Sequence, residues 1–319
     1  MKKKVSTEWL SVCGGCHVSI VDLHEKIMQL FDAIELYRCP VLTDIKDYPK
    51  VDIGIISGAI RTEHDIIAAN KMRNSCQHIL AFGTCAVFGG ISGAGCVHSN
   101  DEIFDVVYRN NKTTNTNFIP SEIPKLIKNV VPLDQIIEVD SYLPGCPPHP
   151  VFIFSTLNAL IKNTPQREKF RNICAKCKRS MFKNKEVNKI KSKLDGIPDP
   201  NTCFLSQGYL CFGAVTLDRC MSPCTNKGVA CTGCCGPSIN VLQEPTVDVR
   251  TKISELMSDL TNIDKHEILS EIETFAKTHY AYSMASDMVN KKQTFQIWRW
   301  MEEGKKNYEQ NNSNIVRYK

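Results

Sequence analysis

The chain has 319 residues, a hydrophobic fraction of 42%, a formal net charge of +5 and sixteen cysteines. This length allows one large domain or two ordinary ones, each with a hydrophobic core. The spread of the basic residues argues against nucleic-acid binding, and the longest apolar run, Val151–Ile161, is too short to span a bilayer. No signal-peptide pattern follows the lysines near the amino end, so we expect a cytoplasmic protein. Its cysteines then indicate metal ligands and buried thiols rather than disulfides.

Residues 1–163 alternate strand patterns with helix patterns. The apolar periodicity predicts strands at Val5–Leu10, Ile34–Leu42, Val51–Ile60, His78–Ala86 and Ile136–Leu143. It predicts helices at Val18–Ala33, Glu63–Ser75 and His149–Lys162. This order favours the α/β class, with a flavodoxin-like doubly wound parallel sheet.

Four cysteines of this first domain follow predicted strands. Cys13 and Cys16 come after the first strand, Cys85 ends the fourth, and Cys146 follows the last. Because the carboxyl ends of parallel strands meet at one edge, we expect the four thiols to converge there. Four thiolates are what one 4Fe–4S cluster needs. The alternatives are small buried thiols or, for the first pair, a thioredoxin-like dithiol.

Nine of the sixteen cysteines lie within 62 residues of the second half. They are Cys174, Cys177, Cys203, Cys211, Cys220, Cys224, Cys231, Cys234 and Cys235. Thiolates are soft ligands that favour iron–sulfur clusters or zinc, and two Cys-x-x-Cys pairs frame the stretch. We interpret residues 164–245 as an irregular, mostly helical domain around two 4Fe–4S clusters. A zinc-ribbon interaction module is the alternative, and it would contain zinc and no iron.

Residues 246–319 form a third segment with helical periodicity and no cysteine. Ile253, Leu256, Met257 and Leu260 share one helical face, and Asp264 with Glu267 is a plausible capping pair for the next helix. A further helix is predicted around Phe295, Trp298 and Met301, and frayed residues at 310–314. This segment is expected to pack on the cluster domain or on a partner.

Several motifs together resemble the small subunit of nickel–iron hydrogenases. The resemblance is carried by Trp9-Leu10 before Cys13-Gly14-Gly15-Cys16, by Gly83-Thr84-Cys85-Ala86 with Gly89-Gly90, and by Pro144-Gly145-Cys146-Pro147-Pro148. The cysteine pattern of the second half is similar to the cytoplasmic, viologen-reducing branch of methanogens, which does not reduce deazaflavin. The resemblance spans roughly residues 5–240.

The resemblance implies three 4Fe–4S clusters and their ligands. The proximal ligands would be Cys13, Cys16, Cys85 and Cys146. The medial ligands would be Cys220, Cys224, Cys231 and Cys234, with Cys224 where many relatives have proline. The distal ligands would be Cys174, Cys177, Cys203 and Cys211, with Cys174 where the family usually has histidine.

Of the remaining cysteines, Cys39 and Cys76 are expected to be buried thiols, and Cys96 lies in a glycine-rich loop. Cys235 is expected to point away from its neighbour, although it is the main rival of Cys224 or Cys234 as a ligand.

The resemblance also implies the function. The chain would perform no bond chemistry and hold no catalytic residue, because the nickel–iron site belongs to a large subunit. Electrons would leave through a 2Fe–2S adaptor subunit towards a heterodisulfide reductase flavoprotein.

The basic stretch at 164–200 is either a solvated face or a docking surface for an acidic electron-transfer partner. A hydrogen sensor is a further alternative with the same motifs. Glu8 and Asp44 are predicted as surface carboxylates, and His149 as a helix cap.

Overall fold

The computed structural model describes residues 2–113, 118–165, 171–274 and 281–290, with only the backbone described at positions 274 and 290. A five-stranded sheet lies at the centre of the first half, in the order β2-β1-β3-β5-β7 with every pair parallel. Strands β4 and β6 form a separate antiparallel pair. The strands are β1 (Lys3–Trp9), β2 (Ile34–Arg38), β3 (Val51–Ser57), β4 (Ile60–Thr62), β5 (Cys76–Phe82), β6 (Leu126–Val131) and β7 (Ser141–Leu143).

Helices cover both faces of this sheet. They are α1 (Gly15–Val21), α2 (Lys26–Ala33), α3 (Glu63–Ser75), α4 (Thr84–Phe88), α5 (Asn100–Phe104) and α6 (Pro150–Ile161). Successive side chains of a strand point to opposite faces. In β5, Ile79 and Ala81 therefore join the core that contains helix α3, whereas Leu80 and Phe82 join the core that contains α6. The predicted flavodoxin-like, doubly wound α/β fold is thus confirmed.

The element boundaries differ from the predictions where a residue takes a positive φ. The predicted helix Val18–Ala33 is two helices, because His24 between them has a φ of 50°. The predicted strand Val51–Ile60 ends at Ser57, since Gly58 has a φ of 98°. A Cβ at Gly58 would lie 2.9 Å from the Leu10 carbonyl carbon, so this turn requires glycine.

Beyond the sheet domain the chain is irregular from 171 to 248. Two short α-helices lie there, α7 (Pro223–Asn226) and α8 (Ile239–Gln243), together with three short 3-10 turns. Longer helices follow as α9 (Val249–Leu260) and α10 (Lys265–Thr274), and then the single turn α11 (Asp287–Asn290). One hydrophobic core joins the irregular region to these helices, with Phe212 packed in the same cluster as Ile253 and Ile268. The two proposed carboxyl-terminal segments therefore share a core.

The helix predictions beyond 246 hold where the structure describes them. Ile253 and Met257 are fully buried on one face of α9, and Asp264 caps α10 by accepting from the backbone of His266 and Glu267. The predicted helix at 295–301 and the frayed residues at 310–314 lie outside the described residues. In the described ranges, no helix is both long and apolar enough to cross a membrane.

Candidate metal centres

The carboxyl edge of the sheet brings the four predicted proximal cysteines together. Cys13 lies in the loop after β1, Cys16 in α1, Cys85 in α4 after β5, and Cys146 in the loop after β7. Burial raises the pKa of Cys16 to about 12, and the neighbouring thiols of Cys85, Cys146 and Cys13 add to this rise. The four thiols therefore lie near one another at this edge, although no three side chains of the described residues are arranged closely enough to hold a metal ion.

Glycines lie against the sulfurs of this group, because a side chain at these positions would clash with a sulfur atom. A Cβ at Gly83 would lie 2.3 Å from the Cys16 sulfur, and a Cβ at Gly90 would lie 2.4 Å from the Cys85 sulfur. Both glycines also have positive φ, at 88° and 58°. The backbone here approaches the sulfurs as closely as only glycine allows.

The predicted distal cysteines form a second group in the irregular region. Although part of Cys174 stays exposed, burial around its sulfur raises its pKa to about 12, and the neighbouring Cys211, Cys203 and Cys177 thiols raise it further. Cys203 is held in place by its own N–H, which donates to the Ser180 carbonyl at 2.7 Å.

The predicted medial cysteines form a third group that includes a fifth thiol. The pKa of Cys224 is raised by burial and by the nearby Cys234 and Cys220 thiols. Cys231 lies between two groups, since burial raises its pKa, and the Cys211 thiol and, more weakly, the Cys234 thiol add to the rise. The structure thus brings Cys220, Cys224 and Cys234 together, with Cys231 on the side facing the distal group.

The expectation that Cys235 points away from its neighbours is wrong. Cys235 is 1% exposed, and its thiol is hydrogen-bonded to the sulfurs of both Cys220 and Cys234. These contacts raise the pKa of Cys235 well above its usual range, so Cys235 keeps its proton and acts as the donor. The same hydrogen bond lowers the pKa of Cys220 to about 7 and also lowers that of Cys234.

The three groups lie next to one another in the order proximal, medial, distal. Cys234 of the medial group is among the thiols that raise the pKa of Cys146, a proximal cysteine. Cys231 donates its backbone N–H to the Cys211 sulfur of the distal group at 3.4 Å. The medial group therefore contacts the distal group and lies near the proximal group.

The donor chemistry of these groups fits iron–sulfur clusters. At Cys16, Cys146 and Cys174, burial and neighbouring thiols raise the pKa and oppose the loss of protons, and a cationic metal core reverses that balance by neutralising the thiolates. Backbone N–H groups also point at sulfur, from Gly15 to Cys13 at 3.4 Å and from Gly233 to Cys231 at 3.5 Å. Hydrogen bonds to ligand sulfur are one way in which proteins set the potential of such clusters.

The other singled-out residues have structural surroundings. Cys39 and Cys76 are buried, as predicted. His149 accepts from the Val151 N–H at 3.3 Å and caps α6, which is also confirmed. Asp44 is exposed, as predicted. The prediction for Glu8 is wrong.

Glu8 is 5% exposed instead of lying at the surface. Its carboxylate pairs with Arg38 at 2.7 Å and accepts from the Tyr48 hydroxyl at 2.6 Å. An ionised carboxylate is stable in such a buried place when it is paired and hydrogen-bonded. Its position in strand β1 gives no sign of Arg38, which is distant in sequence.

Sequence reasoning missed two contacts of the carboxyl-terminal segment. Tyr282 lies near Cys146, Cys234 and Cys224, and burial is the first cause of its raised pKa. Ala285 packs so closely on Gly89 and Gly93 that a Cβ at either glycine would lie within 2.9 Å of the Ala285 Cβ. Residues 281–290 therefore cover the region beside the proximal and medial groups. The paired glycines were the only available signal, since close backbone approach is what glycine permits.

Comparisons with known proteins show where similar chains occur. The family model described as the 20 kDa subunit of NADH ubiquinone oxidoreductase matches residues 13–160. A subunit of the vhu F420-non-reducing hydrogenase of Methanococcus voltae is 34% identical, over 76% of this chain and 86% of the relative. The corresponding vhu hydrogenase subunit of Methanocaldococcus jannaschii is 36% identical, over 73% and 81%.

Two further comparisons extend the match. The iron-sulfur subunit of the F420-non-reducing hydrogenase of Archaeoglobus profundus is 33% identical, over 88% of this chain and 95% of the relative. A crystal structure of an NAD+-reducing NiFe-hydrogenase in the H2-reduced state contains a similar chain, at a TM-score of 0.51 and 28% identity. The match covers 53% of this chain and 97% of that chain.

Proposed function

This chain belongs to the family of iron–sulfur small subunits of nickel–iron hydrogenases of methanogens, and we propose that it conducts electrons through three 4Fe–4S clusters. As such a subunit it is the electron-transfer part of an oxidoreductase, and the hydrogen-activating site lies on a partner large subunit. The proposed ligands are Cys13, Cys16, Cys85 and Cys146 for the proximal cluster, Cys220, Cys224, Cys231 and Cys234 for the medial cluster, and Cys174, Cys177, Cys203 and Cys211 for the distal cluster.

The contiguity of the three sulfur groups is the observation that carries the proposal. Cys146 and Cys234 connect the proximal to the medial group, and Cys231 and Cys211 connect the medial to the distal group. When bound, iron–sulfur clusters supply one-electron carriers whose potentials depend on charge, hydrogen bonding and exposure. The residues of this chain hold the carriers in sequence, shield them from water and donate N–H groups to their sulfurs.

The surface beside Cys13 is the proposed contact with the large subunit. Cys13 is the exposed member of the proximal group, and α1 presents Val18 and Val21 to solvent at 61% and 65% exposure. Contiguous exposed apolar surface beside a functional group indicates an interaction site. A large subunit seated here would shield Cys13 and place its own metal site next to the proximal cluster.

The surface near the distal group is the proposed exit for electrons. Lys183, Lys189 and Lys193 are exposed in the loops that follow Cys177, and Leu194 and Ile197 are more than 90% exposed among them. Positive charge around an apolar centre suits an acidic protein partner. The proposed partner is a 2Fe–2S adaptor subunit, which would pass electrons to a heterodisulfide reductase in the cytoplasm.

Iron and sulfide analysis of the anaerobically purified full chain, bound to its large subunit and with the one iron of the nickel–iron site subtracted from the total, tests the cluster content. Three clusters of four irons predict about twelve irons and no stoichiometric zinc. Cys16→Ser is expected to lower the iron content to about eight, because one cluster loses a ligand. Cys39→Ser is the matched control, since both cysteines are 5% exposed but Cys39 lies in no group.

Three results would contradict parts of the proposal. A colourless preparation with zinc would favour the zinc-ribbon alternative instead. Equal iron content in Cys16→Ser and the native chain would remove Cys16 from the ligand set. About eleven irons in the native chain would indicate a three-iron medial cluster and would exclude Cys224 as a ligand.

A further inference from the structure

Thr84 connects the sheet domain to the irregular region through its side chain. Its hydroxyl donates to the Cys234 carbonyl at 2.7 Å and accepts from the Gly145 N–H at 2.8 Å. Its own backbone N–H donates to the Gly145 carbonyl at 2.9 Å. The residue is 1% exposed, so water does not compete for these bonds.

The three chain segments that meet at Thr84 each carry a proposed cluster ligand. Cys85 follows Thr84 directly, Cys146 follows Gly145 directly, and Cys234 contributes the accepting carbonyl itself. Two of these ligands belong to the proximal cluster and one to the medial cluster. One buried hydroxyl therefore holds the loops of two clusters against each other, although Thr84 and Cys234 are 150 residues apart in sequence.

We propose that Thr84 is a positioning residue that fixes the separation between the proximal and the medial cluster. This inference rests on the proposed ligand sets. The separation matters because electronic coupling falls steeply with distance. One electron leaves the proximal site and one arrives at the medial site, and no proton is transferred.

The chemistry of the side chain explains why the position needs a hydroxyl. A hydroxyl both donates and accepts, so Thr84 satisfies Gly145 and Cys234 at once. Valine has nearly the same shape, but it would leave the buried Gly145 N–H and the Cys234 carbonyl without these partners. Unsatisfied buried polar groups are costly, and the loops would separate to admit water.

The test uses Thr84→Val and Thr84→Ser in the full chain bound to its large subunit and loaded with iron. The first readout is the magnetic coupling between the reduced proximal and medial clusters, measured by electron paramagnetic resonance. Dipolar coupling falls with the cube of the distance. We expect a smaller and more heterogeneous coupling in Thr84→Val, and the native value in Thr84→Ser because it keeps the hydroxyl.

The second readout is hydrogen exchange at the Gly145 amide. Loss of one hydrogen bond of ordinary strength predicts roughly tenfold faster exchange in Thr84→Val. Thr261→Val is the matched control, because Thr261 is also 1% exposed and also donates to a carbonyl, that of Met257 at 2.7 Å within its own helix end. This control is expected to change neither the coupling nor the Gly145 exchange.

Native coupling in an iron-replete Thr84→Val would overturn the inference and leave the proposed function intact. A native chain without iron would instead overturn the proposed function. If Thr84→Val retains no iron, Thr84→Ser decides the matter. Native coupling and native Gly145 exchange in that variant support the hydroxyl as the essential group. Altered coupling in Thr84→Ser would assign the effect to packing and reject the inference.

Discussion

The two halves of this protein hold cysteines in opposite ways. In the first half, a parallel sheet with a core on each face places Cys16 and Cys85 at its edge, and the sheet has its own packing. In the second half, the residues from 171 to 245 form no comparable sheet among those described, and turns present the thiols. We expect the sheet to form before its cofactor, and we expect the loops of the second half to depend more on the groups that they are proposed to bind, although they also pack on a hydrophobic core.

Removal of iron is the largest perturbation that this comparison predicts. Structural metal sites contribute their binding free energy to folding. We expect amide exchange in 203–235 to accelerate about a thousandfold in iron-free protein, the effect of losing a ligand present at a thousand times its dissociation constant. Exchange in β1, β3 and β5 should change far less. Equal acceleration of amide exchange in both regions, measured by mass spectrometry, would contradict the proposed difference between the two halves.

Thiol reactivity in the iron-free protein gives the next largest difference. The Cys235 hydrogen bond lowers the pKa of Cys220 to about 7, whereas burial and neighbouring thiols raise that of Cys146 to about 12. Thiolates are the reactive form, so alkylation of Cys220 should rise with pH through about 7. At pH 7 a pKa two units below the usual value predicts roughly fiftyfold more thiolate than in an unperturbed thiol.

Cys146 is the control for this labelling, because both cysteines are partly exposed. Its reactivity should stay low until strongly alkaline pH. Site-resolved mass spectrometry after brief alkylation measures both rates. A Cys220 rate that rises only near pH 9 would contradict the proton assignment at Cys235.

The substitution Cys235→Ala tests a smaller effect, the hydrogen bond from Cys235 to the proposed medial ligands. Because Cys235 keeps its proton, we expect it to donate to ligand sulfur rather than bind iron, and the iron content should stay at about twelve. Loss of the hydrogen bond disfavours the reduced cluster. A roughly tenfold weaker reduction equilibrium corresponds to about 59 mV for one electron.

A redox titration monitored by electron paramagnetic resonance measures this shift at the medial cluster. Cys235→Ser retains a donor and should remain close to the native potential. Loss of iron in both variants would make Cys235 a ligand instead of a donor.

Charge reversal at the proposed exit surface is the smallest predicted effect. Lys183→Glu and Lys193→Glu should slow association with an acidic electron acceptor by a few-fold at low salt, and the difference should fade as salt rises. Lys252→Glu on α9 is the exposed control. Stopped-flow reduction of the acceptor measures the rates. Equal rates in all three variants would remove this surface from electron exit.

Regular parts of the fold were predictable because their signals are local. Helix α3 was predicted at its observed bounds from its periodicity, and the structure adds a capping box of Thr62 and Asp65 at its start. Four cysteines at the ends of three predicted strands likewise sufficed to predict a shared edge. By contrast, the break between α1 and α2 depends on a left-handed His24, which no periodicity reveals.

Contacts between distant segments were the part that sequence could not supply. Cys235 was expected to turn away because adjacent residues often do, but the loop places it between Cys220 and Cys234. Glu8 was expected at the surface because its partner Arg38 is not adjacent in sequence. In both cases the deciding atoms belong to other parts of the chain.

The packing of Ala285 on Gly89 and Gly93 implies an order of assembly. A ribosome delivers the cysteines of the sheet edge long before it delivers residues 281–290. Until that segment arrives, the loop around Cys85 lacks the cover that Ala285 provides. We therefore expect a cluster at Cys85 to be loaded before residues 281–290 close over it.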